Sequence, residues 1–198
     1  MEISRPGEAA GKLAHRFESA VALGAQLTVA TSEKVAFVLA GSVVGVLEAG
    51  QHRLDPQSVP FLDMCVQGDR IEAELWFIAN GLHGMRYGGA LQTIFNPQTG
   101  QPFTPRCFGS YSIHVADLRR LLVIGLLDEP DLGEGWIKAR IIESLSRALS
   151  QFDTSTIDAK DPGTLAGIAE LARAELGAKL TDYGLALELS LAGLVLAP

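Results

Sequence analysis

Arg106-Cys-Phe-Gly-Ser-Tyr-Ser-Ile-His-Val-Ala116 marks the place where the hydrophobic period of this chain changes. Apolar and polar residues alternate within it, which is typical of a β-strand with one face in a core. One face carries Cys107, Gly109, Tyr111, Ile113 and Val115, and the other carries Phe108, Ser110, Ser112 and His114. From Gln26 to this strand the hydrophobic pattern repeats every two residues, and after it two long segments repeat with the helical period before a last alternating segment. This order predicts an α+β domain.

Strand patterns dominate the chain upstream of Arg106. Lys34–Leu39 and Val43–Leu47 are rich in β-branched residues and flank Ala40-Gly41-Ser42, which predicts a hairpin. Arg70–Ile78 alternates again, although its outer face mixes two acids with two large apolar groups. Gly81–Gly89 is rich in glycine, and we predict a loop there. These runs predict strands, two of them joined as the hairpin.

Helical patterns follow the central strand. Leu118–Leu127 is short and apolar, and Gly133–Phe152 places large apolar residues at helical spacing. Asp161-Pro162 begins a further helix, which we expect Gly177 to end. Thr181–Leu194 alternates leucine with smaller residues and predicts a last strand. We therefore expect helices packed on the sheet.

The N-terminal segment predicts a short helix. Glu8–Leu23 carries an apolar stripe formed by Ala9, Leu13, Phe17 and Ala20. Alanine-rich stripes pack well against protein and bury little surface in lipid, so this helix is expected to dock on the domain. We accordingly divide the chain into an N-terminal helical segment, residues 1–24, and a main domain, residues 25–198.

The composition indicates more apolar surface than an average domain carries. Of 198 residues, 47% are hydrophobic and 20% are charged, whereas typical soluble domains have about 25% charged residues. The excess apolar surface is expected in a thick core, or in contact with another protein chain or a membrane. The net charge is −7 and the basic residues form no stripe, which argues against nucleic acid and anionic lipid as partners.

The first residues and the cysteines bear on where the protein works. Met1–Gly7 lacks the apolar run of a signal peptide, and no run of about 18 apolar residues predicts a membrane span. Cys65 and Cys107 form no C-x-x-C pair, and we expect both to be reduced. We expect a cytoplasmic protein that reaches the inner membrane only through partners.

The sequence offers no convincing catalytic, cofactor or metal site. Ser110, Ser112, His114 and Asp117 are the tempting hydrolase set, but groups on one extended strand reach each other poorly and no G-x-S-x-G elbow exists. The four histidines lie in separate elements, so no metal is predicted. The glycine-rich segment lacks the Lys-Ser/Thr of a phosphate loop, so no cofactor is predicted.

Large apolar residues are the better candidates for function. Aromatic and aliphatic anchors dominate protein interfaces, although each such residue taken alone is more often part of a core. The candidates for a protein interface are Phe61, Leu62, Met64, Trp76 and Trp136. Trp76 is the best of them, because its strand face also carries Glu72 and Glu74.

Several blocks, in their order, resemble one known family. They are Ala25-Gln-Leu-Thr-Val29, Glu33-Lys-Val-Ala-Phe-Val38, Val43-Val-Gly-Val-Leu-Glu-Ala-Gly-Gln-His-Arg-Leu54, Val59-Pro-Phe-Leu62, Ala73-Glu-Leu-Trp-Phe-Ile78, Gly84-Met-Arg-Tyr-Gly88, Phe108-Gly-Ser-Tyr-Ser-Ile-His-Val-Ala-Asp117 and Leu180-Thr-Asp-Tyr-Gly-Leu185. Together they resemble the SPFH or Band 7 (stomatin, prohibitin, flotillin) domain, and within it the soluble bacterial branch described as virion-core-protein-like. The resemblance covers about residues 25–191, and Ala49 stands where the family usually has proline.

The resemblance implies a non-catalytic scaffold. It implies a mixed, mostly antiparallel sheet with helices packed on it, self-assembly into homo-oligomers, and organisation of membrane-anchored or envelope-stress partner proteins of the phage-shock type. The family shares no catalytic residues, so none are assigned. Two alternatives stay open, namely a monomeric adaptor for one protein partner and a small-ligand-binding protein that uses the glycine-rich segment near His83 and Arg86.

Overall fold

A computed structural model of the chain describes residues 1–9, 11–95, 99–129, 132–153 and 157–196. The chain folds into two compact units. The first unit comprises Met1–Gly81 and Leu122–Gly133, and the second comprises Leu82–Leu121 and Glu134–Pro198. The α+β class predicted above is confirmed, since antiparallel strand pairs and helices share the chain. The predicted boundary after residue 24 stays a prediction, and the division between the two compact units falls at other positions.

The first unit consists mainly of short strands. They are β1 Glu2–Ile3, β2 Ala14–Phe17, β3 Val21–Ala22, β4 Gln26–Val29, β5 Glu33–Leu39, β6 Ser42–Leu47, β7 Gly50–Arg53, β8 Val66–Gln67, β9 Arg70–Ile71 and β10 Glu74–Ala79. Short helical turns occur at Gly7–Ala9 and Pro60–Met64 (3-10), at Leu121–Gly125 (π) and at α2, Leu126–Asp128, and the three-residue helix α1, Leu118–Arg120, belongs to the second unit. The predicted helix over Leu118–Leu127 is confirmed as this helical run.

Three sheets build the first unit, in the strand orders β1-β4-β7, β2-β10-β5-β6 and β3-β9-β8. The predicted hairpin is β5–β6, and its loop is Ala40-Gly41. Both loop residues have positive φ, 48° for Ala40 and 76° for Gly41. Positive φ at both positions matches the right-handed twist of the flanking strands. The glycine tolerates this backbone freely, whereas the alanine adopts it only because the hairpin closes there.

The core of the first unit forms from one face of these strands. Fully buried side chains include Leu27, Val35, Phe37, Leu75 and Phe77. Their alternation along β5 and β10 is the period-two pattern of the sequence, so local pattern and packing agree.

The second unit combines one three-stranded sheet with two long helices. The strands are β11 Gly81–Ala90, β12 Ile94–Phe95, β13 Pro102–Phe103, β14 Arg106–Val115 and β15 Leu185–Val195, and the helices are α3 Glu134–Leu149 and α4 Pro162–Asp182. The sheet order is β11-β14-β15, while β12 and β13 pair with each other. β14 and β15 run antiparallel, with a bulge beside Phe108 and Gly109. The helix α4 packs on β15, and α3 packs on α4.

The caps of α4 follow from its sequence. The Asp161 carboxylate accepts a hydrogen bond from the Thr164 N–H, and Pro162 occupies the first turn, where its missing N–H costs nothing. The prediction that Gly177 ends the helix is wrong, because the helix continues to Asp182. The stop is Gly184, whose φ of 76° is the left-handed conformation that favours glycine after a helix.

The N-terminal helix predicted over Glu8–Leu23 is also wrong. The segment instead contributes β2 and β3, and β2 pairs with β10 from Ala14 opposite Ile78 to Phe17 opposite Leu75. Gly11, with φ of 81°, breaks the helical stripe near its start. Pairing with a distant strand therefore overrides a weak local helical pattern.

The loop predicted over Gly81–Gly89 is a strand, β11. Its glycines permit close packing against neighbouring elements. A Cβ added at Gly88 would lie 3.4 Å from the Cys107 carbonyl oxygen, and one at Gly89 would lie 3.2 Å from Ile142 Cδ1. The sequence pattern predicts a flexible loop from these glycines, whereas in the structure they leave space for neighbouring elements to pack closely on β11.

Candidate functional site

The tempting catalytic groups of β14 are engaged in other contacts. Ser110 Oγ lies 2.9 Å from Ser190 Oγ, and Ser112 Oγ accepts the Gly84 N–H at 3.2 Å. The Asp117 carboxylate caps α1 by accepting two backbone N–H groups. Among the described residues, no group of three or more His, Cys, Asp or Glu side chains could hold a metal ion. Ser110 and Ser112 therefore hydrogen-bond to groups on neighbouring strands at the surface of the sheet.

The outward face of the β11-β14-β15 sheet is the most distinctive surface of the second unit. We name it the open face and define it by Phe108, Ser110, His114, Glu188, Ser190 and Val195. At one end, His114 Nε2 lies 3.7 Å from a Glu188 carboxylate oxygen, and the His83 ring lies 4.8 Å from the His114 ring. At the other end, Phe108 is 53% exposed and Val195 is 47% exposed. The face is thus polar at one end, and its other end, which we call the apolar end, carries these two side chains with the exposed Arg106 directly opposite Val195.

Two glycines fix the position of Phe108. A Cβ at Gly193 would overlap the Phe108 ring, and a Cβ at Gly88 would lie 3.5 Å from Phe108 Cβ. The Phe108 ring therefore lies directly over the backbone of β15 and covers Gly193, which has no side chain of its own. An aromatic ring held in this way is a rigid exposed anchor, which loses little entropy on binding.

A second exposed aromatic lies nearby in sequence. Phe95 on β12 is 68% exposed, and Thr93 and Thr104 join the two chain segments through hydroxyl groups 2.8 Å apart. Tyr87–Pro105 contains no charged residue. Depletion of charge with exposed aromatic residues is characteristic of the central part of protein interfaces.

The predicted candidates of the 3-10 turn occupy three different environments. Leu62 is fully buried in the core, so its side chain offers no surface. Phe61 is half-buried, with its ring 5.2 Å from Phe37 in an edge-to-face contact. Met64 is 64% exposed. Of these three, only Met64 is available to a partner without rearrangement.

Trp76 lies on the outer face of the β2-β10-β5-β6 sheet. It is opposite Arg16 on one side and Ala36 on the other, and Val46 follows on β6. Its indole N–H donates to the Glu74 carboxylate at 3.1 Å, and its side chain is half-buried. Its position leaves part of the ring on the surface of the first unit.

Trp136 belongs to the second unit and lies between two cations. The Arg140 guanidinium is 5.3 Å from its ring, and the Lys179 ammonium is 5.4 Å from it. Such cation–π contacts link the first turn of α3 to the end of α4. The structure does not bring Trp136 together with Trp76 in one unit.

The sequence interpretation missed Phe108, Val195 and Phe95. One signal was available, because Phe108 is a large aromatic on the otherwise polar face of the best-predicted strand. A large apolar side chain on a solvent face, without a core to enter, indicates an interaction site.

Burial, by contrast, keeps the reactive groups on the inner side neutral. Desolvation raises the pKa of the Cys107 thiol to about 11 and that of Tyr111 to about 12. It also raises the pKa of Tyr87, whose hydroxyl donates to the Ser190 carbonyl at 3.0 Å. Both cysteines are free and buried, and the pKa of Cys65 is likewise raised by burial. None of these groups is poised as a nucleophile.

Comparison with known proteins gives one result that covers most of the chain. The model of the SPFH domain–Band 7 family matches residues 14–195. Among curated proteins, none matches the chain. No helix in the described part of the chain is long and apolar enough to cross a membrane. The family match includes both units and every long strand and helix described above, and by it this chain belongs to the SPFH domain–Band 7 family.

Proposed function

We propose that this chain is a non-catalytic scaffold, which assembles with copies of itself and holds partner proteins near the membrane. SPFH domains generally act as membrane-associated scaffolds, often self-assemble, and are generally non-enzymatic. The observation in this chain that carries the proposal is the apolar end of the open face, where Phe108 and Val195 are about half exposed.

The open face has the anatomy of a partner site. Phe108 is a rigid aromatic anchor, and Val195 extends the apolar surface along the neighbouring strand. The hydroxyl groups of Ser110 and Ser190, which are hydrogen-bonded to each other, form a polar margin next to this apolar surface. Interfaces combine an apolar centre with a polar rim in this way, and a few aromatic anchors supply most of the affinity.

Assembly is tested by light scattering on the purified chain across about 1 to 100 μM, the range of weak specific affinities. We expect a mass that exceeds the 21.1 kDa of one chain and rises with concentration. A mass of one chain over the whole range would contradict self-assembly. Partner capture by such a monomer would instead favour the adaptor alternative.

Partner binding is tested by capture from membrane extracts of cells, with the chain as bait and neighbouring gene products as candidate partners. Phe108→Glu places a charge in the apolar end and is expected to abolish capture. Ala186→Glu is the matched control, since Ala186 is exposed on the same face of β15 but lies at its other end. Equal capture by both variants would exclude the open face as the partner site.

The first unit supplies two further proposed contact residues, the exposed Met64 and the half-buried Trp76. Trp76→Ala is expected to weaken partner capture and to leave assembly unchanged. Membrane recruitment is proposed to occur through envelope-stress or membrane-anchored proteins in the cytoplasm, because the net charge of −7 opposes binding to anionic lipid. If the purified chain floats with anionic vesicles that contain no other protein, recruitment through partner proteins would be contradicted.

A further inference from the structure

A groove runs between the first three turns of α4 and the edge of the second unit's sheet. Its volume is about 490 Å³. The apolar part of its lining comes from Leu165, Ala166 and Ala169 of α4 and from Leu189, Leu191 and Ala192 of β15. Lys160 lines the groove next to the start of α4, and Glu170 lines it two turns further along the helix.

The strand that lines this groove is the last of its sheet. β15 pairs with β14, and in the described part of the chain no strand follows it in the order β11-β14-β15. In an antiparallel strand with one neighbour, every second residue directs its N–H and C=O away from the sheet. Such a row of unpaired backbone groups is a template for another strand.

The devices that usually protect an edge are sparse in β15. Leu189–Val195 contains neither a charged residue nor proline, and Glu188 is the one ionisable residue of the strand. Protected edges carry lysine, proline or inward-pointing charge. The bulge beside Phe108 and Gly109 bends β15 near Ala192, but it leaves Leu185–Leu191 in regular register with β14.

The helix beside the edge is apolar on more than the side that packs on β15. Leu171 is 39% exposed, and Ala166 and Ala174 are exposed as well. A helix with apolar residues on several sides is usually covered on several sides. Small residues at such a surface allow a second helix to approach closely.

We propose that this edge and groove bind a second copy of the same chain, whose β15 adds antiparallel to the first. The sheet of the second unit then continues across a two-fold axis as six strands, with the two α4 helices side by side beneath it. This inference rests on the self-assembly proposed above and identifies its surface. Isologous two-fold contacts are the commonest kind in homo-oligomers.

The charge of Glu188 disfavours one register and permits an axis through Ser190. An axis through Ser190 brings Glu188 opposite Ala192 of the second copy, whereas an axis through Glu188 would oppose two carboxylates. Pairing over residues 186–194 passes through the bulge at Ala192 of each copy, so the two strands form fewer hydrogen bonds than the roughly eight to ten of nine regular pairs.

The charges of the groove are complementary under the same axis. Lys160 and Glu170 lie toward opposite ends of the α4 segment that lines the groove, since Pro162 and Glu170 are separated by about 12 Å along the helix. A two-fold axis there exchanges the ends, so Lys160 approaches Glu170 of the second copy. The Glu170 carboxylate already accepts two hydrogen bonds from Arg173, which holds it in place on the helix.

The first test introduces a charge at the edge. Ala192→Lys is expected to weaken assembly of the full chain at least tenfold in dissociation constant, measured by analytical ultracentrifugation. Ala178→Lys is the control, because Ala178 is likewise an exposed alanine of the second unit but lies on α4 and does not line the groove. Equal weakening by both variants, or by neither, would overturn the proposal.

The second test exchanges the charges of the groove. Lys160→Glu and Glu170→Lys each place like charges together, and each is expected to weaken assembly about tenfold. The double variant restores opposite charges across the axis and is expected to assemble as the wild type does. Failure of the double variant to recover would overturn the proposal, provided that its thermal unfolding shows an intact fold.

A third measurement needs no variant. Hydrogen exchange of the wild-type chain is followed at about 1 and 100 μM, and the edge amides of Leu185–Leu191 are expected to slow at the higher concentration. If the wild type assembles while these amides and the variants show no effect, this inference fails and the scaffold function stands. If the wild type stays monomeric, both fail.

Discussion

Replacing Gly45 by alanine tests how two segments that resemble the family's blocks pack together. Gly45 lies in β6, and Phe61 lies in the 3-10 turn Pro60–Met64. A Cβ at Gly45 would lie 2.5 Å from three carbons of the Phe61 ring. The ring itself contacts Phe37 edge to face in the core, with 5.2 Å between the centroids. The glycine thus provides the space in which the ring lies against the hairpin.

The expected cost follows from that distance. The added methyl is about 0.9 Å closer than an ordinary contact of 3.4 Å, and the ring cannot retreat without losing its contact with Phe37. Overpacking of this kind costs about 1–3 kcal/mol. Alanine also lowers the conformational entropy of the unfolded chain, which offsets about 0.4–1 kcal/mol of that cost. We expect Gly45→Ala to lower the free energy of unfolding by about 1–2 kcal/mol.

A double-mutant cycle identifies the cause. Phe61→Ala alone is expected to cost about 3 kcal/mol, the lower end for phenylalanine, because this ring is half-buried. In the double variant no ring opposes the new methyl, so only the gain of about 0.4–1 kcal/mol from the restricted unfolded chain remains. Urea unfolding followed by circular dichroism measures the four free energies, and a coupling of about 1–3 kcal/mol, equal to the overpacking cost, is expected.

Additive losses would refute this reasoning, since they would show that the methyl and the ring do not meet. Gly177→Ala serves as the matched control. Gly177 lies within α4, and a Cβ there would meet nothing within 4 Å. Alanine at that position is expected to raise the free energy of unfolding by up to about 1 kcal/mol through helix propensity.

Three further predictions concern the second unit. Folding raises the pKa of the Cys107 thiol from 9.0 to about 11, so the contribution of this thiol to stability is present below pH 9 and is lost as the pH rises through 11. Urea unfolding at pH 8, 9.5 and 11 should therefore show a flatter pH dependence of the free energy of unfolding for Cys107→Ala than for the wild type. Gly109→Ala makes the new Cβ overlap the Ser190 carbonyl oxygen and should cost roughly 3 kcal/mol or more, whereas Tyr87→Phe removes one hydrogen bond to that oxygen and should cost about 1–2 kcal/mol. Asp161→Ala should lower the midpoint of thermal unfolding more than Asp161→Asn, because the amide can still cap α4.

The predictability of the candidate surface differed from residue to residue. Met64 and Trp76 could be nominated from the sequence, since each is a large apolar residue beside polar ones. Leu62 could not be separated from them, because its burial depends on a core assembled from distant strands. The groove beside β15 could not be predicted at all, since it requires knowing which strand ends the sheet.

By itself the sequence determined the features that depend on neighbours along the chain. Alternation along Arg106–Val115 and Leu185–Val195, the hairpin loop at Ala40-Gly41 and the cap at Asp161 were readable because period and backbone preference act over a few residues. Only the tertiary structure decided that Gly81–Ala90 is a strand, that the N-terminal segment pairs with β10, and that Phe108 stays on the surface. Strand pairing and burial are set by partners far away in sequence, whose packing free energy exceeds the weak preferences of a local pattern.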